Sequence, residues 1–208
     1  MFQMLSALNK LRDAFHRNGF RDTVRKMVTI AIESVTPDWQ CLFWIPLQDF
    51  QKMTTDAARL QITRCAEELA SSELAALRKS VGDFALGRFK DRTERQCQLH
   101  ILWKKGVVIG TLFIVSGKHQ KFQHVVLTEH DAMILDARID PAFRGQGLYS
   151  VFLNLSLSFM RDEGVERVYV ATSERNEPSL RTLRRLGFIY LLRYKSHRGK
   201  YSFDQRPL

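Results

Sequence analysis

The chain has 208 residues, 45% of them apolar, which suffices for one buried core with room for an extension. It holds 32 Lys and Arg against 22 Asp and Glu, and the surplus of +10 calls for an acidic partner or for many solvated basic faces. No apolar run reaches membrane-spanning length, the start carries no cleavable-signal pattern, and Cys41, Cys65 and Cys97 lie scattered without metal-ligand spacing; the expectation is a cytoplasmic protein with reduced cysteines, no disulfide framework and no metal.

From Leu5 to about Ser34 the chain reads as one or two helices broken near Asn18-Gly19, with apolar stripes through Leu5, Leu8, Leu11 and Phe15 and through Phe20, Val24, Met27 and Val28. Lys10, Arg12, Arg17, Arg21 and Arg25 cover the other side. Such a basic amphipathic arm can lie on an anionic membrane or embrace a partner. Alternatively it docks on its own domain or on a second subunit, as in a homodimer. We treat residues 1–37 as this extension and 38–208 as the main domain. Cys41 to Pro46 and Leu60 to Cys65 are strand candidates, and either or both can belong to the sheet. Leu69, Leu74, Leu77, Val81, Phe84 and Leu86 predict a helical stretch of roughly five turns. Gln98 to Trp103 and Val107 to Val115 form a hairpin about Lys104-Lys105-Gly106, and the polar segment Ser116 to Glu129 reads as a loop.

Met133, Leu135, Ala137 and Ile139 then alternate with Ile134, Asp136, Arg138 and Asp140, the period of a strand. Leu148, Phe152, Leu155 and Phe159 follow at helical spacing. Between them, Arg144-Gly145-Gln146-Gly147 places two glycines at a helix N-terminus, where free amides and the positive dipole end favour an anion. This is a seat for a diphosphate in physical terms. A second strand, Arg167 to Thr172, carries Val168 and Val170 on one face and Tyr169 and Ala171 on the other. It leads to Asn176, and a short helix follows with Pro178 in its first turn and Gly187 just past its end. Ile189 to Lys195 and Tyr201 to Phe203 close the chain as a hairpin.

At this point the chain resembles the GNAT superfamily of acyl-CoA-dependent N-acyltransferases. That family's first motif is an apolar strand end, any residue, Pro, then Q/R-x-x-G-x-G/A, and here Ile139, Pro141, Arg144 and Gly147 supply it. Its second is an Asn opening a helix that closes in L-G-F, matched by Asn176 and Leu186-Gly187-Phe188. The resemblance extends over about Leu99 to Phe203. Two positions depart from the pattern: Tyr149 stands at the last G/A of the first motif, and Leu183 stands where many members carry a tyrosine acid.

The resemblance implies an α/β (α+β) GNAT fold, a mixed sheet splayed between its two middle strands and flanked by helices, with acetyl-CoA or another acyl-CoA as co-substrate. Carried over residue by residue, the amides of Gly145, Gln146, Gly147, Leu148 and Tyr149 would hold the diphosphate with Arg144. Arg138 or Ile139 would offer an amide to the thioester, and Asn176 would touch the pantetheine arm or cap its helix. For the proton of the amine Asp136 is the best-placed base, against the competing reading of an ion pair with Arg138. Glu129, His130, Asp131 and Glu174 are further candidates. Tyr149, Ser179 or Thr182 could replace the missing acid. The expected reaction is acetylation of a primary amine on a small molecule such as an amino sugar or amino acid derivative. Acetylation of a protein or peptide and a catalytically weak binding protein with a basic arm are the alternatives. Nucleic acid is not an expected partner, since no aromatic or zinc-finger pattern accompanies the charge.

Overall fold

The computed structural model describes residues 38–51, 58–63, 68–81, 97–116, 121–122, 125–197 and 200–204. The basic arm, Cys65 and the end of the predicted long helix lie outside the described residues.

Among the described residues, eight strands form one mixed sheet. In chain order they are β1 (Gln40–Pro46), β2 (Arg59–Thr63), β3 (Cys97–Lys104), β4 (Val107–Ser116), β7 (Asp131–Ile139), β8 (Arg167–Ser173), β9 (Ile189–His197) and β10 (Lys200–Asp204). Their order across the sheet is β10-β9-β1-β8-β7-β4-β3-β2. Both early strand candidates belong to it. β2 pairs with β3 at one edge, while β1 is inserted antiparallel between β8 and β9. The polar segment expected to be a loop contains a separate two-stranded ribbon, β5 (Lys121–Phe122) and β6 (Val125–Val126), too short for periodicity to reveal.

Alternation decides the two faces. Cys41, Phe43 and Ile45 of β1 join Val168 and Val170 of β8 in one core, and Leu42 joins Tyr169, Met133 and Leu99 in the other. Strand β4 is buried from Val108 to Val115, as suits a central strand covered on both sides. Helix α1 (Ser71–Val81) packs on the second face through Leu74 and Leu77. Helix α2 (Leu148–Asp162) and helix α3 (Glu177–Arg185) pack on the first.

The apolar stripe expected of α2 is too narrow. Leu153, Leu157 and Met160 are buried with Phe152, whereas Leu155 and Phe159 are only half-buried. The cause is the segment just after β1, residues 47–51, which packs on α2: Leu47 is fully buried, and the Phe50 and Gln51 carbonyls accept from Arg161 and Asn154. Each fully buried Phe or Leu contributes roughly 1.5–3 kcal/mol. His100 of β3 is buried against the same helix, with Nδ1 3.0 Å from the Ser156 hydroxyl, and burial pushes its pKa down to about 3. The imidazole is neutral and structural.

Asp131 begins β7 with a fully buried side chain. It accepts from the Thr128 amide (2.7 Å) and hydroxyl (2.9 Å) and pairs with Arg167 at the start of β8, 2.7 Å away. Burial alone would raise its pKa, but the Arg167 and Thr128 donors outweigh it and hold the carboxyl below its usual range. This stability is complete above the unfolded value near 3.9 and disappears as pH falls through the lower folded value. Asp131→Asn is expected to lose roughly 2 kcal/mol at pH 7 by denaturant unfolding, with a stability that then changes less than wild type's below pH 4.

Candidate active site

Strands β7 and β8 run parallel and pair only from Asp131 with Arg167 to Ile134 with Val170. Beyond that they part. β7 stays bonded to β4 on its outer side, with Gly110 opposite Ile139, and β8 stays bonded to β1, with Gln40 opposite Ser173. Where they part, Asp136 adopts a left-handed backbone (φ 50°) and the register with β4 slips between Thr111 and Phe113. This is a β-bulge. It breaks the simple alternation expected of this strand: Ile134 is buried, while Asp136 and Arg138 are exposed. The close approach of Gly110 holds the far end, since a Cβ there would sit 2.7 Å from Ile139 Cδ1 and 3.0 Å from the Arg138 carbonyl.

The fork opens into a cavity of about 1040 Å³. Its floor is β7 from Ile134 to Ile139 and β8 from Val170 to Ser173, and its sides are the starts of α2 and α3. Asp140 fixes the entrance loop by donating its amide to the Ile109 carbonyl (2.9 Å) while its carboxylate accepts from the Ala142 amide and the Ser80 hydroxyl of α1. Arg144 folds back to donate from Nε to the Ile139 carbonyl at 3.1 Å.

Gly145 and Gly147 both take positive φ (78° and 71°), and Gly147 caps α2 without a side-chain bond. A Cβ at either would meet no protein atom within 4 Å, so the backbone conformation, not crowding by the protein, selects glycine there. Among the described residues, no acceptor takes the amides of Gly145, Gln146, Gly147, Leu148 or Tyr149. Five donors are left at the positive end of a fifteen-residue helix.

The sequence-derived residues do not all converge. Asp136, Arg138, Ile139, Arg144, Gly145, Gly147, Leu148, Tyr149 and Asn176 line the cavity, but Gln146 does not. Asn176 does cap α3, its side-chain oxygen accepting from the Ser179 amide at 3.4 Å, and it faces the cavity as well. Glu129 and His130 lie before the opposite end of β7, roughly 20 Å along the strand from Asp136, and neither lines the cavity. Asp131 is committed to Arg167, and Glu174 to Arg193 at 2.8 Å. Arg193 also pairs with Asp204 and stacks 4.8 Å over Trp39, tying β9 and β10 to the entry of β1. Leu183 is core.

The hydroxyl of Tyr149, in the first turn of α2, lies 3.4 Å from that of Ser179, in the first turn of α3, and both residues line the cavity. Burial raises the Tyr149 pKa, and the Ser179 bond offsets part of the rise, so the phenol keeps its proton. Cys41 is also protonated, its thiol pushed up to about 11 by burial, with the Glu174 charge second. Among the described residues, no cluster of three His, Cys, Asp or Glu side chains could hold a metal ion. Gln40, Thr172, Ser173, Arg181 and Arg185 complete the lining without having been anticipated. For Arg181 and Arg185 the four-residue spacing was a usable signal. For Gln40 there was none, since it arrives from a strand 133 positions before its partner Ser173.

A family model for the Acetyltransferase (GNAT) family matches residues 64–188, more than half of the chain. Among curated proteins no sequence match is found. Solved structures share the fold. A GCN5-related glucosamine N-acetyltransferase region in a fungal multi-domain GH3 β-N-acetylglucosaminidase is 14% identical with a TM-score of 0.58, over 82% of this chain and 22% of that one. A putative acetyltransferase of the GNAT family from Novosphingobium aromaticivorans is 14% identical with a TM-score of 0.53, over 76% of this chain and 62% of that one. A GCN5-related N-acetyltransferase from Sphaerobacter thermophilus is 16% identical with a TM-score of 0.52, over 92% of this chain and 58% of that one. The chain spans less than two thirds of the length of each. A parted central strand pair, glycines opening the helix that follows it and a family match running through both motifs lead to one conclusion: this chain belongs to the GNAT family of acetyltransferases.

Proposed function

We propose that the protein is an acyl-CoA-dependent N-acyltransferase that transfers acetyl from acetyl-CoA to a primary amine on a small molecule. The observation that carries this reading is the run of unaccepted amides from Gly145 to Tyr149 at the mouth of the fork. Oriented donors on a helix N-terminus suit a diphosphate, and Arg144 beside them adds positive charge. The parted strands leave facing backbone edges along which an extended amide-bearing arm can lie, as a peptide does on a sheet edge. One connected cavity of about 1040 Å³ has room for that arm and a small acceptor.

The carrier supplies an activated acyl group, and the chain supplies placement and proton control. In the net reaction a C–N bond forms at the acyl carbon, the C–S bond breaks, the amine loses a proton and the leaving sulfur gains one. An alkyl amine of pKa about 10 is protonated at neutral pH, a cost of roughly 4 kcal/mol over three pK units. Among the described residues Asp136 is the only carboxylate lining the cavity, and it sits on the bulge where the strands part, so it is our choice to draw the ammonium in and accept its proton. Leu183 cannot donate. Tyr149 brings a protonated hydroxyl to the same face of α3 one turn earlier, toward which a long side chain at position 183 would lean. We assign it the proton for the leaving sulfur.

Acetyl-CoA at 100 times its Kd is expected to raise the Tm of the full chain by roughly 5 °C or more. Gly147→Val, which forces a β-branched residue into a left-handed backbone, is expected to abolish that shift, and an undiminished shift would remove the proposed seat. Asp136→Asn keeps a residue type that tolerates positive φ. Its turnover is expected to fall most at low pH and to recover as rising pH deprotonates the amine unaided; a loss equal at every pH would mark Asp136 as structural. Tyr149→Phe is expected to lower kcat roughly tenfold with Kd for acetyl-CoA within twofold, because a thiolate leaves with modest help. An equal change in both would reduce Tyr149 to a bridge between helices.

A further inference from the structure

The cavity is lined from both faces of the sheet, by Val170 and Leu148 of the first core and by Ala171, which packs against the second. Helices α2 and α3 pack on the first face, which puts the amide seat on that side. Register sets what lies on the other. Ile139 packs in the first core opposite Gly110, so Arg138, its neighbour in the ladder opposite Thr111, points to the second face. Gln40 shares the parity of Leu42 and Trp44 and stands opposite Tyr194, and all three of these pack in or against the second core, so Gln40 points the same way. Asp136, on the bulge between Leu135 of the second face and Ala137 of the first, sits at the throat between them.

The two sides differ in charge. Arg144 belongs to the amide-bearing turn, and Arg181 and Arg185 belong to α3. Among the described lining residues Arg138 is the one arginine whose strand register directs it to the second face. It lies two positions from Asp136, at most roughly 7 Å along the strand. Across the gap the lining is neutral. The Ser173 hydroxyl donates to the Asp38 carboxylate and accepts from the Arg175 amide at 3.1 Å, and for the Gln40 side chain no partner is found among the described residues. The second-face opening therefore offers one charge of each sign on a single strand and a neutral wall opposite.

That pattern discriminates among amines. An acceptor whose ammonium is drawn to Asp136 brings whatever its neighbouring carbons bear up to Arg138. A second cation there meets a like charge, whereas a carboxylate meets a planar fork of donors. An analogue without the carboxylate loses those bonds and leaves the guanidinium unmatched, so the discrimination works by penalty as well as by gain.

We infer that the acceptor is an amino acid or a close derivative of one, its free carboxylate held by the Arg138 side chain while its ammonium is drawn to Asp136. The inference rests on the proposed acetyl transfer to a primary amine and deepens it by naming the acceptor class. It sets that class apart from an amino sugar, which carries no anion beside its amine.

The test measures CoA release by the full chain with acetyl-CoA and, in turn, L-amino acids, the same amino acids as carboxamides, and glucosamine. It is run on wild type, Arg138→Gln, Arg138→Lys and Arg185→Gln, with acetyl-CoA binding followed separately by the rise in Tm. Wild type is expected to use the best amino acid with a kcat/KM at least about tenfold above that of its carboxamide and of glucosamine, a difference of about 1.4 kcal/mol. Arg138→Gln is expected to abolish that ratio through the KM of the carboxylate, Arg138→Lys to recover part of it, and Arg185→Gln to keep it. Equal use of each amino acid and its carboxamide, a preference for glucosamine, or no turnover of any amino acid while acetyl-CoA still raises the Tm overturns the acceptor class and leaves the carrier reading standing. A loss in Arg138→Gln that falls equally on both members of each pair overturns it as well, reducing Arg138 to an ion-pair partner of Asp136. Loss of the ratio in Arg185→Gln overturns it in favour of general attraction by a basic cavity. If acetyl-CoA does not raise the wild-type Tm, the acyl-CoA reading itself fails, and the inference with it.

Discussion

Two parallel strands in the middle of a sheet ordinarily stay bonded along their length, because buried amides and carbonyls without partners are costly. Here β7 and β8 stop pairing after Ile134 and Val170, and the rest of the molecule is arranged to make that tolerable. Each strand keeps its outer neighbour, β4 on one side and β1 on the other, so neither can slide back to close the gap. The bulge at Asp136 turns β7 away, and the tight approach of Gly110 to Ile139 and Arg138 holds it there. Asp131 and Arg167 clamp the closed end, which confines the parting to one end of the pair.

The same parting explains why the helices begin where they do. Strands that separate leave a wedge above the sheet, and α2 and α3 both start at its mouth. Tyr149 and Ser179 touch across it from the two first turns. A side chain larger than the Gly or Ala usual at position 149 in the family thus meets a helix carrying leucine where a tyrosine is usual at 183. Both departures pack in the same core cluster, and Tyr149 keeps a hydroxyl beside Ser179.

Charge is divided between two uses. Arg167 and Arg193 are held by carboxylates and stabilise strand ends, where desolvation and hydrogen bonding make each pair worth more than a surface contact. Arg138, Arg144, Arg181 and Arg185 are exposed at the cavity, where Asp136 is the single carboxylate among the described lining residues. That division accounts for part of the +10 surplus. The remainder includes the basic arm, which lies outside the described residues.

Local physics was readable along the chain because it depends on neighbours in sequence. The Lys105-Gly106 hairpin, the glycines opening α2, the Asn176 cap and Pro178 start of α3, and the two-faced pattern of β8 each rest on a few adjacent residues. The sequence marks Asp136 as a candidate base but does not encode its left-handed backbone, because a bulge depends on the register with β4 and no alternation pattern carries it. Glu129, a further candidate in the sequence, lies before the closed end of β7, which the strand direction decides. The insertion of β1 beside β8, the burial of α2 on its outer side and the arrival of Gln40 in the cavity all required the tertiary structure. By itself the sequence determined the anion-seeking turn and the elements around it, since helix dipoles and glycine conformations are local. Only the fold decided that Asp131 and Glu174 meet arginines and that Asp136 lines the fork, because that depends on strands far apart in the chain meeting across hydrogen-bond ladders.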